Sequence, residues 1–205
     1  ISTMKLDDIN NFIGDIDLEL LDQLLKGRFN DRHRLLEIGC GQGRNIIPFL
    51  NLKKAIYGID LDDKNIALCK IVATSLGGNP SFFSKAHAHT LPFENGFFDA
   101  VINCRVMHFA KNNHDFKQQW EEQFRVLRKG GFLYLSMDTS IHNEEIVQRT
   151  DGERSWLNDQ SERLLLSEQL FDLVDLHSGF QLLEPLKTLR FDQDHAHAIL
   201  CLHKK

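Results

Sequence analysis

The chain has 205 residues, of which 42% are hydrophobic and 26% charged, and its formal net charge is −5. That length suits one domain whose core removes roughly 70% of the unfolded chain's surface from water. No apolar stretch approaches the ~20 residues of a membrane span, no signal-like start is evident, and no long basic run points to nucleic acid, so a cytoplasmic protein with a small-molecule partner is expected.

The first clear pattern is a stripe of Leu18, Leu21, Leu25 and Phe29, joined by Leu20 and Leu24, which predicts an amphipathic helix over 17–29. Asp15 or Asp17 is its expected cap, and Gly27 loosens its last turn. The preceding Phe12-Ile13-Gly14-Asp15 has no clear periodicity. An apolar strand over 34–38 leads to a helix over 44–50, where Pro48 is tolerated because it lies near the first turn. A second strand, 55–59, is followed by a helix that Asp62 and Asp63 cap and Gly77-Gly78 end.

A short strand is expected near 81–86, and the apolar run at 100–103 reads as a strand buried on both faces. Phe116, Trp120, Phe124 and Leu127 sit at helical spacing in a helix over 116–128, and a strand over 132–137 follows a glycine turn. Residues 138–160 then become polar. That segment is long for a passive connection, so it is either a substrate-side insertion or a solvated excursion. A helix over 167–176 and strands near 180–190 and 196–203 complete the pattern. The alternation predicts an α/β fold: a doubly wound, mostly parallel seven-stranded sheet with helices on both faces, in a single domain spanning 1–205.

The chemistry concentrates in Leu35-Leu36-Glu37-Ile38-Gly39-Cys40-Gly41-Gln42-Gly43, followed by Gly58-Ile59-Asp60. Glycines at every second position let a ligand approach the backbone closely. An aspartate one βαβ crossover later can accept hydrogen bonds from a ribose diol. A dinucleotide fold wants Gly-x-Gly-x-x-Gly, and here the third glycine comes one residue early. Glu37 puts a carboxylate where a pyrophosphate would lie and where a cationic ligand would be welcome.

These residues resemble motif I and the acidic end of the second strand in class I S-adenosylmethionine-dependent methyltransferases. Leu91-Pro92-Phe93 with Phe98-Asp99-Ala100-Val101, then Arg125-Val126-Leu127-Arg128-Lys129-Gly130-Gly131, and finally Gly179-Phe180 resemble later elements of that family in the right order. The resemblance implies a Rossmann-like methyltransferase fold, S-adenosylmethionine as cofactor and a small-molecule methyl acceptor. By the same resemblance, Gly39, Cys40, Gly41 and Gly43 form the loop under the methionine portion and the ribose. Glu37 lies near the amino or sulfonium charge, Asp60 takes the ribose hydroxyls and Leu61 flanks the adenine. His87 stands where the family often has an acid for the adenine amino group, with the Ala88 amide beside it. Asn103, Cys104 and Arg105 are expected at the cofactor, and Met107 to Phe109 at the acceptor. His108 has the intrinsic pKa of a general base. Residues 1–33 are implied as a helical cover.

Four cysteines show no paired spacing, which suits a reducing compartment. His195 and His197, near Asp192 and Asp194, have no third ligand fixed by spacing, so no metal is expected. Two rival readings are an NAD(P)-dependent oxidoreductase and a non-catalytic module that binds S-adenosylmethionine.

Overall fold

In the computed structural model, described for residues 5–141, 148–149, 153–157, 160–175, 179–190 and 196–205, the chain divides into two compact units, 1–87 and 88–205. The first unit opens with helix α1 (Leu6–Ile13), which was not among the expected elements, although Leu6, Ile9 and Ile13 stand at helical spacing. Local chemistry accounts for it. Asp7 and Asp8 lie in its positive first turn, and Asp8 accepts a hydrogen bond from the Lys5 amide at 2.8 Å. Its apolar residues Leu6, Ile9 and Phe12 stay exposed. Helix α2 (Leu18–Leu25) is capped by Asp17, whose carboxylate accepts from the Glu19 and Leu20 amides. It stops four residues before the predicted end, because Gly27 takes a left-handed φ of 73° and turns the chain away.

Strand β1 (Arg34–Ile38), helix α3 (Ile46–Asn51), strand β2 (Ala55–Asp60), helix α4 (Asp63–Ser75) and strand β3 (Phe83–Lys85) then alternate as expected. Strands β1, β2 and β3 pair in parallel, with Glu37 opposite Gly58 and Asp60 opposite Lys85. The core of this unit is Leu20, Phe29, Leu35, Leu36, Ile38, Ile46, Phe49, Ile56 and Ile59, all essentially without solvent contact apart from Ile38, Ile56, Ile59 and Phe29 at about 1%. Gly58 serves packing here, since a Cβ on it would come within 2.6 Å of the Phe83 ring.

The second unit begins with strand β4 (Phe98–Cys104), buried at every residue as the apolar run predicts. Helix α5 (Asn113–Val126) leads into strand β5 (Leu127–Asp138), which starts five residues earlier than predicted. Leu127 already pairs with Phe98, and an irregularity between Phe98 and Ala100 absorbs the glycine turn into the strand. Strands β6 (Gln148–Arg149) and β7 (Arg154–Trp156), in the segment read as polar insertion, form a small antiparallel sheet with β8 (Glu162–Leu164) just beyond it. Residues 142–147, 150–152 and 158–159 of that segment lie outside the described residues. Helix α6 (Glu168–Asp175) precedes strands β9 (Phe180–Leu182), β10 (Lys187–Arg190) and β11 (Ala196–Lys204). Strand β5 is parallel to β4 and antiparallel to β11, which in turn pairs antiparallel with β9 and β10.

The recurrent sequence elements of this unit are structural. Arg125 donates to the carbonyls of Leu91 at 2.9 Å and Phe93 at 2.7 Å, while Glu122 accepts from the Leu91 amide. Asp99 pairs with Arg128 at 2.6 Å. Gly179, at φ 63°, holds a left-handed backbone where a Cβ would press on the Phe124 ring at 3.2 Å, and Phe180 packs edge-on to both Trp120 and Phe124.

Candidate functional site

Parallel pairing brings the ends of β1 and β2 together, so the glycine loop after β1 meets Asp60 directly. The Cys40 amide donates to the Ile59 carbonyl at 2.9 Å, extending the ladder one residue into the loop. Gly39, Gly41 and Gly43 then take φ values of 66°, 51° and 88°, a left-handed region that side chains rarely adopt. A Cβ on Gly41 would meet nothing within 4 Å, so this face of the loop is open to a ligand. Asp60 ties the loop down. Its Oδ2 accepts from the Gly41 amide at 2.9 Å, and its Oδ1 accepts from the Asp62 amide at 2.9 Å and from Asn65 Nδ2 at 3.2 Å. A carboxylate has about four lone-pair sites, so these three bonds leave room for a hydroxyl donor. Leu61, beside it, is 54% exposed, an apolar surface next to the acid.

Glu37 is the most unusual group in the unit. It is 2% exposed, with Oε1 accepting from Asn45 Nδ2 at 2.7 Å. Asn45 is itself held by the Asp17 amide, which donates to its Oδ1 at 2.9 Å. Glu37 Oε2 is buried without a hydrogen-bond partner among the described residues. Burial pushes the Glu37 carboxyl up to about 8, against the smaller opposing effects of the Asn45 hydrogen bond and the Arg44 charge; Asp60 pushes it up further. This corrects the simple expectation of a standing negative charge. Without a ligand the side chain is mostly protonated at neutral pH, and a cation placed beside Oε2 would draw the proton off.

Cys40 and Cys69 approach with sulfurs 3.5 Å apart, and Cys69 also reaches the Gly41 carbonyl at 3.3 Å. That hydrogen bond and burial hold the Cys40 thiol far above its usual range, so it packs as a neutral group. His87, at the end of this unit, is exposed.

Ala88, Asn103, Cys104 and Arg105 belong to the second unit. Asn103 is fully buried and donates from Nδ2 to Gln123 Oε1 at 3.1 Å, so its side chain faces α5. Cys104 is buried beside Ser136, whose hydroxyl donates to its sulfur at 3.6 Å. Arg105 holds a left-handed φ of 61° at the tip of β4, and its amide donates to the Ser136 carbonyl at 2.8 Å. Strained non-glycine residues of this kind cluster at functional sites. Met107 and His108 are buried, whereas Phe109 is 59% exposed.

His108 faces the end of β5. Its Nδ1 lies 3.2 Å from Asp138 Oδ2, and its Nε2 lies 2.6 Å from Arg163 Nη1 on β8. Burial lowers the His108 imidazole to about 4, opposed by Asp138 and assisted by Arg163, His197 and Arg105. Burial also pushes the Asp138 carboxyl up, but the hydrogen bond from His197 Nε2 at 2.9 Å and the charges of His108, His197 and Arg163 outweigh it and hold it below the usual range. Among the described residues no group of His, Cys, Asp and Glu is arranged to hold a metal. His195, Asp192 and Asp194 lie outside the described residues.

Asn45 and Arg163 had no signal in the sequence: Asn45 precedes Ile46–Asn51, eight residues after Glu37, and Arg163 meets His108 across 55 residues. His197 was weighed only as a metal ligand, and Asp138 had a weak signal, an acid at the carboxyl end of a predicted strand.

The first unit fits an adenosyl sulfonium cofactor on its own observations: an orphaned buried carboxyl oxygen for a cation, an open left-handed glycine loop, and an acid at the neighbouring strand tip. Comparison with known proteins agrees. A family model described as a methyltransferase domain matches residues 36–135. The phthiotriol/phenolphthiotriol dimycocerosates methyltransferase of Mycobacterium tuberculosis is 30% identical over 186 residues, which take in 80% of this chain and 66% of the relative. The chain thus spans about two thirds of that relative's length. Among solved structures, an S-adenosylmethionine-dependent methyltransferase from Methanosarcina mazei superposes with a TM-score of 0.69 at 19% identity, covering 88% of this chain and 96% of that one. Another from Clostridium acetobutylicum reaches a TM-score of 0.71 at 13% identity and covers 95% of each. These two likenesses are of fold, the doubly wound, mostly parallel α/β architecture expected from the sequence. The methyltransferase-domain match and the mycobacterial relative, with the ordered motifs and the glycine loop, make the chain a member of the class I S-adenosylmethionine-dependent methyltransferases, with S-adenosylmethionine as its cofactor.

Proposed function

We propose that this chain transfers a methyl group from S-adenosylmethionine to a small-molecule acceptor in the cytoplasm, with 1–205 acting as one methyltransferase domain. The observation that carries the reading is Glu37, a buried carboxyl with one oxygen unmatched, set beside a glycine loop fastened to Asp60. Glu37 receives the ligand's cationic end, the backbone of Gly39 to Gly43 runs beneath the methionine portion and ribose, and Asp60 accepts from the ribose hydroxyls. Cys40 packs under the loop, and Leu61 offers its exposed side chain to the adenine. The family resemblance assigns His87, at the end of the same unit, to the adenine, and in the second unit it names Ala88, Asn103, Cys104 and Arg105 as cofactor residues. The exposed apolar residues of α1, Phe12 among them, support residues 1–33 as a cover.

The small-molecule acceptor is supported by the mycobacterial relative, whose name makes it a methyltransferase of phthiotriol and phenolphthiotriol dimycocerosates.

A thermal-shift comparison with S-adenosylhomocysteine and NAD tests the reading. Ligand at a hundred times its Kd stabilises by about 2.7 kcal/mol. S-adenosylhomocysteine is expected to raise the melting temperature by several degrees, and NAD to leave it unchanged. Stabilisation by NAD alone would replace this reading with the oxidoreductase one.

A further inference from the structure

Two of the four cysteines meet beneath the glycine loop of the first unit. Cys40 lies in the loop between Gly39 and Gly41, and Cys69 stands on α4. They are 3% and 0% exposed, and their sulfurs are 3.5 Å apart. Room for two sulfurs exists because side chains are missing around them. A Cβ on Gly58 would come within 3.0 Å of the Cys40 sulfur, and one on Gly43 within 3.3 Å of the Cys69 sulfur. The Cys69 thiol also donates to the Gly41 carbonyl at 3.3 Å, while the Gly41 amide donates to Asp60 Oδ2 at 2.9 Å. Gly41 is thus fastened at both its carbonyl and its amide, by a thiol and a carboxylate.

The roof over this pair is thin. Gly41 touches Cys69 with its carbonyl, is itself only half-buried, and would carry a Cβ into open space. On this side a single glycine separates the sulfurs from solvent. Gly39 and Gly43, both at positive φ, give the loop the backbone freedom to lift. While the roof is closed, the Cys69 contact and burial keep the Cys40 thiol neutral and unreactive, because the thiolate is the nucleophile. Lifting the roof admits water and a small oxidant. A cofactor lying on the open face of the loop does the opposite and presses the roof shut.

Resting on the cofactor reading above, we propose that Cys40 and Cys69 are a modification site for peroxides: they form a reversible disulfide that spoils the glycine loop for S-adenosylmethionine, and bound cofactor protects them. In the first step one thiol, as thiolate, attacks the peroxide. An S–O bond forms, the O–O bond breaks, and the departing oxygen takes up the thiol's proton and leaves as water. The second sulfur then displaces the oxygen of that sulfenic acid, forming the S–S bond and releasing a second water. Two thiols and one hydrogen peroxide thus give one disulfide and two waters, the sulfurs supplying the two electrons that the peroxide gains. An external dithiol reverses the step by exchange, and is itself left as the disulfide. A disulfide bond is about 2.05 Å long, so the sulfurs close by about 1.5 Å. Cys69 is fixed on a helix, whereas Cys40 sits between two glycines, so the loop takes up the movement. Oxidation also removes the Cys69 proton, and the Gly41 carbonyl loses that donor. By linkage, the factor that the disulfide takes from cofactor affinity is the factor that bound cofactor takes from disulfide formation.

The test treats the reduced chain with hydrogen peroxide, with and without S-adenosylhomocysteine, and maps its peptides by mass spectrometry under non-reducing conditions. A linked pair of peptides carrying Cys40 and Cys69, lighter by two hydrogens than the free peptides together, is expected. Both thiols intact, or sulfinic acids on separate cysteines, overturn the proposal. Saturating S-adenosylhomocysteine is expected to slow the linkage by about tenfold or more, and an unchanged rate refutes the protection. Calorimetry then compares oxidised and reduced protein. Affinity for S-adenosylhomocysteine is expected to fall by about tenfold or more, in line with a lost hydrogen bond and a shifted loop, and to return with dithiothreitol. Equal affinities make the disulfide a bystander and overturn the switch. In C69S no disulfide can form, while the hydroxyl can still donate to Gly41. Peroxide is expected to leave the affinity of this variant at whatever value it had before; a fall like that of wild type places the effect elsewhere and refutes the pair. The same comparison on C40S answers the question if C69S does not fold. Binding of S-adenosylhomocysteine to reduced wild type without any linkage refutes this inference alone. Failure of reduced wild type to bind refutes the cofactor reading and the switch with it, and the peptide map still decides whether the pair is an oxidation site.

Discussion

Replacing Glu37 by glutamine is expected to weaken S-adenosylmethionine binding by about 10- to 100-fold, the range of a hydrogen bond to a charged group, and to abolish the proton release that accompanies binding. The Glu37 carboxyl is held up at about 8 by burial. Between pH 5 and 7 the free protein therefore carries its proton, and a ligand cation at Oε2 favours the ionised form. Wild-type binding should release up to one proton, and affinity should rise with pH by at most about tenfold per unit. Calorimetry in two buffers of different ionisation enthalpy measures this directly. The sign discriminates between ligands, because a pyrophosphate beside Glu37 would favour the protonated form and release nothing.

Stability without ligand follows the opposite trend. A carboxyl whose folded pKa is raised contributes stability that is fully present below about 4.5 and is lost as pH rises through about 8. The loss is at most about 5 kcal/mol, from a shift of some 3.5 pKa units at 1.36 kcal/mol each. The Glu37→Gln variant is expected to escape that loss, and so to be more stable than wild type at pH 8 while binding cofactor less well. Urea denaturation at pH 5 and pH 8 measures both limbs.

Asp60→Ala is expected to damage both loop and ligand site. The carboxylate accepts from the Gly41 amide, the Asp62 amide and Asn65. Removing it leaves the left-handed loop untethered and costs about 1–3 kcal/mol of stability. Loss of the ribose contacts should weaken S-adenosylhomocysteine binding by at least roughly a hundredfold, taking one to two charge-assisted bonds. Asp60→Asn should fall between, because its Oδ1 still accepts from the Asp62 amide while its amino group opposes the Gly41 N–H. Binding isotherms and melting curves on the two variants separate these effects. A common loss in both would mean that the charge matters and the tether does not.

Much of this architecture was legible in the sequence, for a physical reason. Buried parallel strands are apolar throughout, so β1 and β4 stand out, and α4 is bounded by an acid cap and a glycine pair. Glu37 and Asp60 could be placed because both sit at the ends of such strands, where parallel pairing alone brings them together. Elements set by local or cross-chain chemistry were illegible. Helix α1 is only about two turns long and leaves Leu6, Ile9 and Phe12 exposed, so its short apolar stripe does not stand out. Strand β5 begins in the polar run Arg128-Lys129, where only pairing with β4 reveals it. Strands β6 to β8 are too short and polar to show a period. The partners of Glu37 and His108 were hidden in the same way, since Asn45 lies in a turn and Asp138, His197 and Arg163 converge from three separate elements.

A crystal structure of the protein grown with S-adenosylhomocysteine tests the central claim most directly. The account predicts the ribose hydroxyls within hydrogen-bond distance of Asp60, the ligand's chain lying along the backbone of Gly39 to Gly43, and a ligand cationic group facing Glu37 Oε2. An adenosyl group bound elsewhere, or an Asp60 that stays on Gly41 and Asp62 and touches no sugar, would contradict it.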